Sequence, residues 1–258
     1  MINNKIHYIY NANGDKQSLD KLLKSDPTKW FKALSNEWGR LSQGNIHGVE
    51  WTDMIDFISY NEVPSNKKVT YASFVCDHRP LKDEKWRIRL VVGGDKLSYD
   101  ADVGSPSTDM IETKMLLNST ISDSKTGARF ATIDLKDMFL HTEMKKSEYM
   151  KVAYRYFSED IINKYQLDKK EHNGFIYMEI KKGMYGLKQA AYLAYETVYK
   201  LLTAEGFQPL IGSSGLWKHA SRNILFCLCV DDFGVKYNNV DDLKHLQQTL
   251  EKVYTAKM

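Results

Sequence analysis

The stretch Ile224-Leu225-Phe226-Cys227-Leu228-Cys229-Val230-Asp231-Asp232-Phe233-Gly234-Val235-Lys236-Tyr237 decides how this chain folds. Seven consecutive apolar residues lead into two adjacent aspartates, and a second strand-like segment follows before Asn238-Asn239. A short apolar run rich in Val, Ile and aromatic residues reads as a strand buried on both faces. The Asp-Asp pair interrupts it where the chain has to turn, which predicts a tight hairpin with two carboxylates at its tip. Carboxylates held side by side repel unless protons or cations sit between them. The pair is therefore either an ordinary turn, where Asp serves through local hydrogen bonds, or half of a metal site.

Outward from the hairpin, residues 215–219 read as a strand pairing with it, and Leu243, Leu246, Leu250 and Val253 give a closing amphipathic helix. Upstream, a helix is expected from Lys188 to about Ala204, with Ala190, Ala194, Val198 and Leu201 on one side and Gly206 at its end. Residues 174–180 alternate as a half-exposed strand, broken by Gly183-Met184-Tyr185-Gly186. Residues 128–134 form a strand whose last residue is a third notable aspartate, Asp134, and residues 149–152 form a short strand. From Ser107 a helix is expected with Ile111, Met115 and Asn118 on its stripe. The Gly/Pro/Ser/Asp-rich segment 98–106 marks a lobe boundary.

Nearer the N-terminus, residues 69–75 and 86–92 predict a hairpin carrying Arg87 and Arg89 two residues apart, hence on one face. Lys67, Lys68, Arg79, Lys82 and Lys85 lie near it, diluted by Asp77, Asp83 and Glu84, so the face reads either as solvated or as anion-binding. Asp26-Pro27 opens a helix as N-cap and first helical residue, with Trp30, Leu34, Trp38 and Leu41 at helical spacing. Three regions result: a polar arm at 1–24, a region at 25–106, and a region at 107–258. Hairpins dominate and the βα alternation is irregular, which predicts an α+β fold, an antiparallel sheet with helices packed on one face.

The hydrophobic fraction of 43% and the charged fraction of 27% are those of a globular chain. A net charge of +3 permits nucleic-acid binding without pointing to it. Cys76, Cys227 and Cys229 form no C-x-x-C and are flanked by apolar residues, so they read as reduced core thiols of an intracellular protein. The N-terminal residues lack the apolar block of a signal peptide, and no run approaches membrane-spanning length, so no membrane partner is expected.

If the strand ending at Asp134 neighbours the hairpin, three carboxylates meet at one sheet edge. Such a cluster is costly unless divalent cations neutralise it. Oxygen donors without His or Cys suit Mg²⁺ or Mn²⁺. Two such ions about 3.5–4 Å apart would serve in-line phosphoryl transfer.

At this point the motifs resemble a known family. Ala131-Thr132-Ile133-Asp134-Leu135-Lys136-Asp137-Met138-Phe139-Leu140, Tyr149-Met150, Gly183-Met184-Tyr185-Gly186-Leu187-Lys188-Gln189-Ala190 and Val230-Asp231-Asp232 stand in the order and spacing of copia-type retrotransposon reverse transcriptases. Val63-Pro64, Lys67-Lys68-Val69 and Arg87-Ile88-Arg89-Leu90-Val91 also look like that family's fingers. The resemblance covers roughly residues 28–258. It implies a right-hand polymerase, with fingers at 25–106 and a palm at 107–258, the two partly interleaved, and with the thumb missing.

By resemblance, Asp134, Asp231 and Asp232 match the family's catalytic, metal-binding aspartates, holding two Mg²⁺ or Mn²⁺ ions. Phe139 matches the side chain that crowds the sugar 2′ position and selects deoxynucleotides; taken alone it also reads as a core ring. Gln189 matches a residue contacting the incoming nucleotide, and alone it reads as a helix cap. Arg87 or Arg89 would meet the triphosphate. The implied partners are an RNA or DNA template with primer and deoxynucleoside triphosphates, and the implied setting is cytoplasmic virus-like particles with passage into the nucleus. Two departures from the pattern stand out. Cys229 occupies the usual tyrosine position, which leans on the template–primer. The chain also stops about twenty-six residues after Asp232, where the family continues into a thumb and a ribonuclease H domain. The alternatives are an inactive or domesticated remnant acting as a nucleic-acid-binding or scaffold module, and a metal-dependent nuclease using the same carboxylates.

Overall fold

The computed structural model describes residues 9–10, 16–99, 103–213 and 215–258. In chain order the elements are β1 (Ile9–Tyr10), β2 (Lys16–Gln17), α1 (Leu19–Ser25), α2 (Pro27–Leu41), β3 (Ile55–Ile58), β4 (Val69–His78), β5 (Trp86–Val92), α3 (Met110–Ser122) and β6 (Arg129–Lys136). Then follow β7 (Glu143–Ala153), α4 (Glu159–Tyr165), β8 (Phe175–Lys182), α5 (Ala190–Ala204), β9 (Phe207–Pro209), β10 (Leu216–His219), β11 (Ile224–Cys229), β12 (Asp232–Tyr237), α6 (Val240–Glu251) and β13 (Thr255–Lys257). The chain divides into two compact units, Met1–Asp100 with Glu143–Lys188, and Ala101–Thr142 with Gln189–Met258. The sequence alone groups 107–258 together, with elements of the preceding region partly interleaved; in the structure, 143–188 supplies the middle of the first unit's sheet.

The first unit is built on a five-stranded sheet of order β3-β8-β7-β4-β5. It is not purely antiparallel, because β4 pairs with β7 in parallel, Val69 opposite Tyr149. Helix α2 starts as the sequence predicts, with the Asp26 carboxylate accepting from the Lys29 N–H at 3.1 Å. Its buried Trp38 stacks on Phe157 at 4.4 Å between ring centres. The polar arm is a helix from Leu19 onward, because Ser18 caps it and Leu19 and Leu22 are buried; its residues 1–8 and 11–15 lie outside the described residues. The Tyr185-Gly186 turn lies against β5. The Val92 N–H donates to the Tyr185 carbonyl at 2.8 Å, and a Cβ on Gly186 (φ +95°) would stand 2.1 Å from the Val92 carbonyl oxygen. Only glycine fits there.

The second unit holds a six-stranded, wholly antiparallel sheet of order β13-β6-β12-β11-β10-β9. Ile133, Leu135, Phe226, Leu228, Phe233 and Val235 point from it into one core with Ala194, Val198 and Leu202 of α5 and Leu243, Leu246 and Leu250 of α6. Helices therefore cover this face as expected, but α3 lies over the opposite one. Lys236, which alternates with core-facing Val235, donates to Ser119 and pairs with Asp123 beyond the end of α3. The α3 stripe also differs from expectation. Ile111 and Met115 are 68% and 61% exposed, while Leu116 and Thr120 are buried. Two apolar stripes compete on that helix, and sheet packing selects the one containing Leu116.

Candidate active site

Register brings the aspartates together. In the β6–β12 pair, Asp232 is directly opposite Asp134, Phe233 opposite Ile133 and Gly234 opposite Thr132. Cross-strand partners leave the same face of a sheet, with Cβ atoms about 4.5–5.5 Å apart. Ile133, Leu135 and Phe233 occupy the core face, so Asp134 and Asp232 project from the other, and both are exposed. Cys229 is opposite Asp232 across β11 and is exposed as well. This corrects the reading of Cys229 as a core thiol: it shares the face of Cys227, opposite Phe226 and Leu228, but Thr113 of α3 covers Cys227 and leaves Cys229 exposed at the strand end. Cys76 and Cys227 are buried, and burial pushes both thiols up, Cys76 to about 12.

The hairpin turn is Val230-Asp231, and Asp232 opens the return strand. The two aspartates therefore do not share the tip. Asp231 sits in the turn, half-buried, and its carbonyl accepts from the Leu135 N–H at 2.9 Å, tying the turn to the residue after Asp134. Val230 has φ +60°. A β-branched residue in the left-handed region is strained by about 1–3 kcal/mol, and such strain clusters at functional sites.

Asp134 and Asp232 have no hydrogen-bond or ion-pair partner among the described residues. Two like charges directly opposite each other destabilise a sheet, and their hard oxygen donors fit Mg²⁺ or Mn²⁺. The third carboxylate does not complete a cage: among the described residues, no group of three His, Cys, Asp or Glu side chains is placed to hold a metal ion. The structure supplies a carboxylate pair with Asp231 in the adjoining turn.

The other candidate residues divide. Phe139 lies in the short helical turn Met138–His141 and packs, half-buried, against the second unit's core. Gln189 precedes α5 and is buried, 5% exposed, without capping the helix through its side chain. In the first unit the two arginines differ. Arg87 is held by Glu84 at 2.8 Å and lies 3.8 Å from Glu37. Arg89, on the same strand face, is exposed and has no hydrogen-bond or ion-pair partner among the described residues. Glu84 also meets Arg40 and Arg79. Burial alone would raise its carboxyl, but Arg40 and Arg87 outweigh that and hold it below the ordinary range.

One neighbour of the pair escapes the sequence reading. Strand β13 runs along β6 with Lys257 opposite Asp134 and Ala256 opposite Leu135. Three residues are too few to show a period. The available signal is a single core-facing alanine between two polar residues.

Residues 57–258 match the model of a family described as reverse transcriptase (RNA-dependent DNA polymerase). The Gag-Pol polyproteins of transposons Ty1-DR5 and Ty1-DR1 of Saccharomyces cerevisiae are each 22% identical over 193 residues, covering 74% of this chain and 10% of the polyprotein. The chain thus spans about a tenth of the length of the curated relatives it matches. Among solved structures it is similar to apo telomerase from Candida tropicalis truncated from its C-terminal domain, with a TM-score of 0.47 and 11% identity over 96% of this chain and 57% of that one.

Proposed function

The chain belongs to the reverse transcriptase (RNA-dependent DNA polymerase) family, with copia-type retrotransposon polyproteins among its relatives, and on that premise we propose that it is the fingers-and-palm portion of such a polymerase. It would add deoxynucleotides to a primer 3′-hydroxyl on an RNA or DNA template, with release of pyrophosphate. The observation that carries this reading is the Asp134–Asp232 pair, opposed across β6 and β12 on an exposed face and without partners of its own.

Asp134 and Asp232 are the groups that would hold divalent cations, with Asp231 beside them. Mg²⁺ or Mn²⁺ held by these carboxylates would supply Lewis-acid activation of the attacking hydroxyl and neutralise charge on the leaving group. The protein's own part is positional. The β6–β12 ladder fixes the separation of the two carboxylates, and the bond from Leu135 to Asp231 fixes the turn. Phe139, at the rim of the core, is proposed to exclude a 2′-hydroxyl, and Gln189 to support nucleotide placement from the start of α5. Of the two arginines, Arg89 is proposed as the phosphate contact, because Arg87 is already committed to Glu84.

Further partners are proposed on the same basis. A thumb and a ribonuclease H segment of a polyprotein would grip the duplex, since phosphate contacts dominate nucleic-acid affinity. The three free thiols suit a reducing, cytoplasmic setting, to be checked by fractionation of expressing cells.

The test is extension of oligo(dT) on poly(rA) with Mg²⁺ and dTTP, using the chain alone and with a thumb segment supplied. Extension that is abolished in Asp134→Asn and Asp232→Asn is expected. Extension unaffected by either substitution sinks the reading. Salt-sensitive binding of primer–template with no extension under any condition favours the second reading, a nucleic-acid-binding remnant, for which Cys229 at the usual tyrosine position beside Asp232 is the specific motive.

A further inference from the structure

We infer that Lys257 is a resident counter-cation of the Asp134–Asp232 pair and sets the divalent-ion concentration at which that pair loads. The inference rests on reading the two carboxylates as metal ligands and goes beyond it by assigning a residue that opposes loading. Strand β13 pairs antiparallel with β6, Lys257 opposite Asp134, and Asp134 is opposite Asp232 in turn. Ala256 is packed into the core, which fixes Lys257 on the outer face. One row across four strands therefore reads Lys257, Asp134, Asp232, Cys229, and all four residues are exposed.

Two other lysines show what a committed ammonium looks like. Lys236 is held by Ser119 and Asp123, and Lys181 by Asp53 and Asp56. Lys257 has no hydrogen-bond or ion-pair partner among the described residues, and neither has Asp134. Backbone register thus fixes the Lys257 Cα beside that of Asp134, and its unpaired ammonium is free to swing over the pair. While the carboxylates are without metal, that charge offsets their mutual repulsion. A divalent ion arriving at the pair meets the same charge as a repulsion. At cross-strand range, well inside a Debye length of about 10 Å at 0.1 M salt, an exposed unit charge acting on a divalent ion changes its affinity by roughly three- to tenfold.

The experiment is Mn²⁺ binding to the 258-residue chain without nucleotide or nucleic acid, read from the electron paramagnetic resonance signal of free Mn²⁺. Lys257→Gln is expected to bind about three- to tenfold more tightly than the parent at low salt, with the difference shrinking to under about twofold at 1 M salt. Lys257→Arg, which keeps the charge, is expected to match the parent. Lys257→Met repeats the measurement with the aliphatic stem retained, should the Gln variant melt early. Unchanged or weaker binding in Lys257→Gln, while Asp134→Asn still abolishes binding, overturns the inference and leaves the metal-site reading standing. Unchanged Mn²⁺ binding together with a raised KM for dTTP makes Lys257 a phosphate contact instead, and also overturns it. Binding that survives Asp134→Asn removes the metal-site reading itself, and the inference with it.

Discussion

In the first unit, two acidic side chains, Glu37 and Glu84, are answered on the spot. Glu37 and Glu84 sit among Arg40, Arg79 and Arg87, with Arg40 at 2.7 Å from Glu37 and 3.1 Å from Glu84, and Glu37 also accepts from the Leu90 N–H at 2.9 Å. In the second unit, Asp134 and Asp232 face each other on an exposed sheet surface with no partner of either kind among the described residues. The first arrangement clamps α2 to β5 and to the turn before it. The second sets two like charges side by side, with Lys257 in the neighbouring register position as a partial offset. A like-charge pair is informative where a neutralised network is not, because one lysine across β13 does not balance two carboxylates and leaves net negative charge for a cation to meet.

The largest break in this contrast comes from the carboxylates. Asp134→Asn or Asp232→Asn is expected to lower primer extension by about two to three orders of magnitude or more. Thermal melting should be unchanged or slightly raised, because the substitution relieves repulsion. A melting point several degrees lower would show that the pair shapes the fold after all.

Gly186→Ala tests the first unit's dependence on close backbone approach. With φ at +95° and the Val92 carbonyl oxygen 2.1 Å from the added Cβ, a loss of about 2–4 kcal/mol in unfolding free energy is expected. Chemical denaturation measures it, and a neutral result would show that the turn sits elsewhere. Glu84→Gln probes the network, and a loss of about 1–3 kcal/mol is expected, discounted for its partial exposure. The sign with pH follows from the depressed carboxyl. Stability from Glu84 is fully present above its ordinary value and is lost as pH falls through the lower, folded one. The parent's advantage over the Gln variant should therefore vanish at the acid end of a pH series, and an advantage that grows there contradicts the assignment.

Val230→Gly is the smallest change. Relief of strain at φ +60°, less the added chain entropy of glycine, gives a gain of about 0.5–2 kcal/mol. A destabilised variant would mean that Val230 is packed rather than strained.

Much of the second unit was legible in the sequence because its signals are long and redundant. The Ile224–Cys229 run, the Asp134 strand end and the stripe of Leu243, Leu246 and Leu250 each specify an element without help from the others. The Asp26 N-cap was legible for the same reason. What escaped depends on tertiary choice. The α3 stripe could not be picked out, because a helix with two apolar faces carries no mark of which one a sheet will cover. Asp231 and Asp232 could not be separated into turn and strand, because a one-residue difference in where the chain reverses leaves composition unchanged. Arg87 and Arg89 look alike until Glu84 and Glu37 are seen to hold only the first. Lys257 was invisible because β13 exists only through its pairing with β6.

The β6–β12 ladder has a kinetic consequence. Its two strands are encoded on either side of Glu143–Lys188, a segment that belongs to the other unit. During synthesis the strand bearing Asp134 emerges first and waits for its mate while that insertion is made. Pairings of such long sequence separation form late and slowly. Apposition of the two carboxylates would consequently mark the completion of folding rather than its onset.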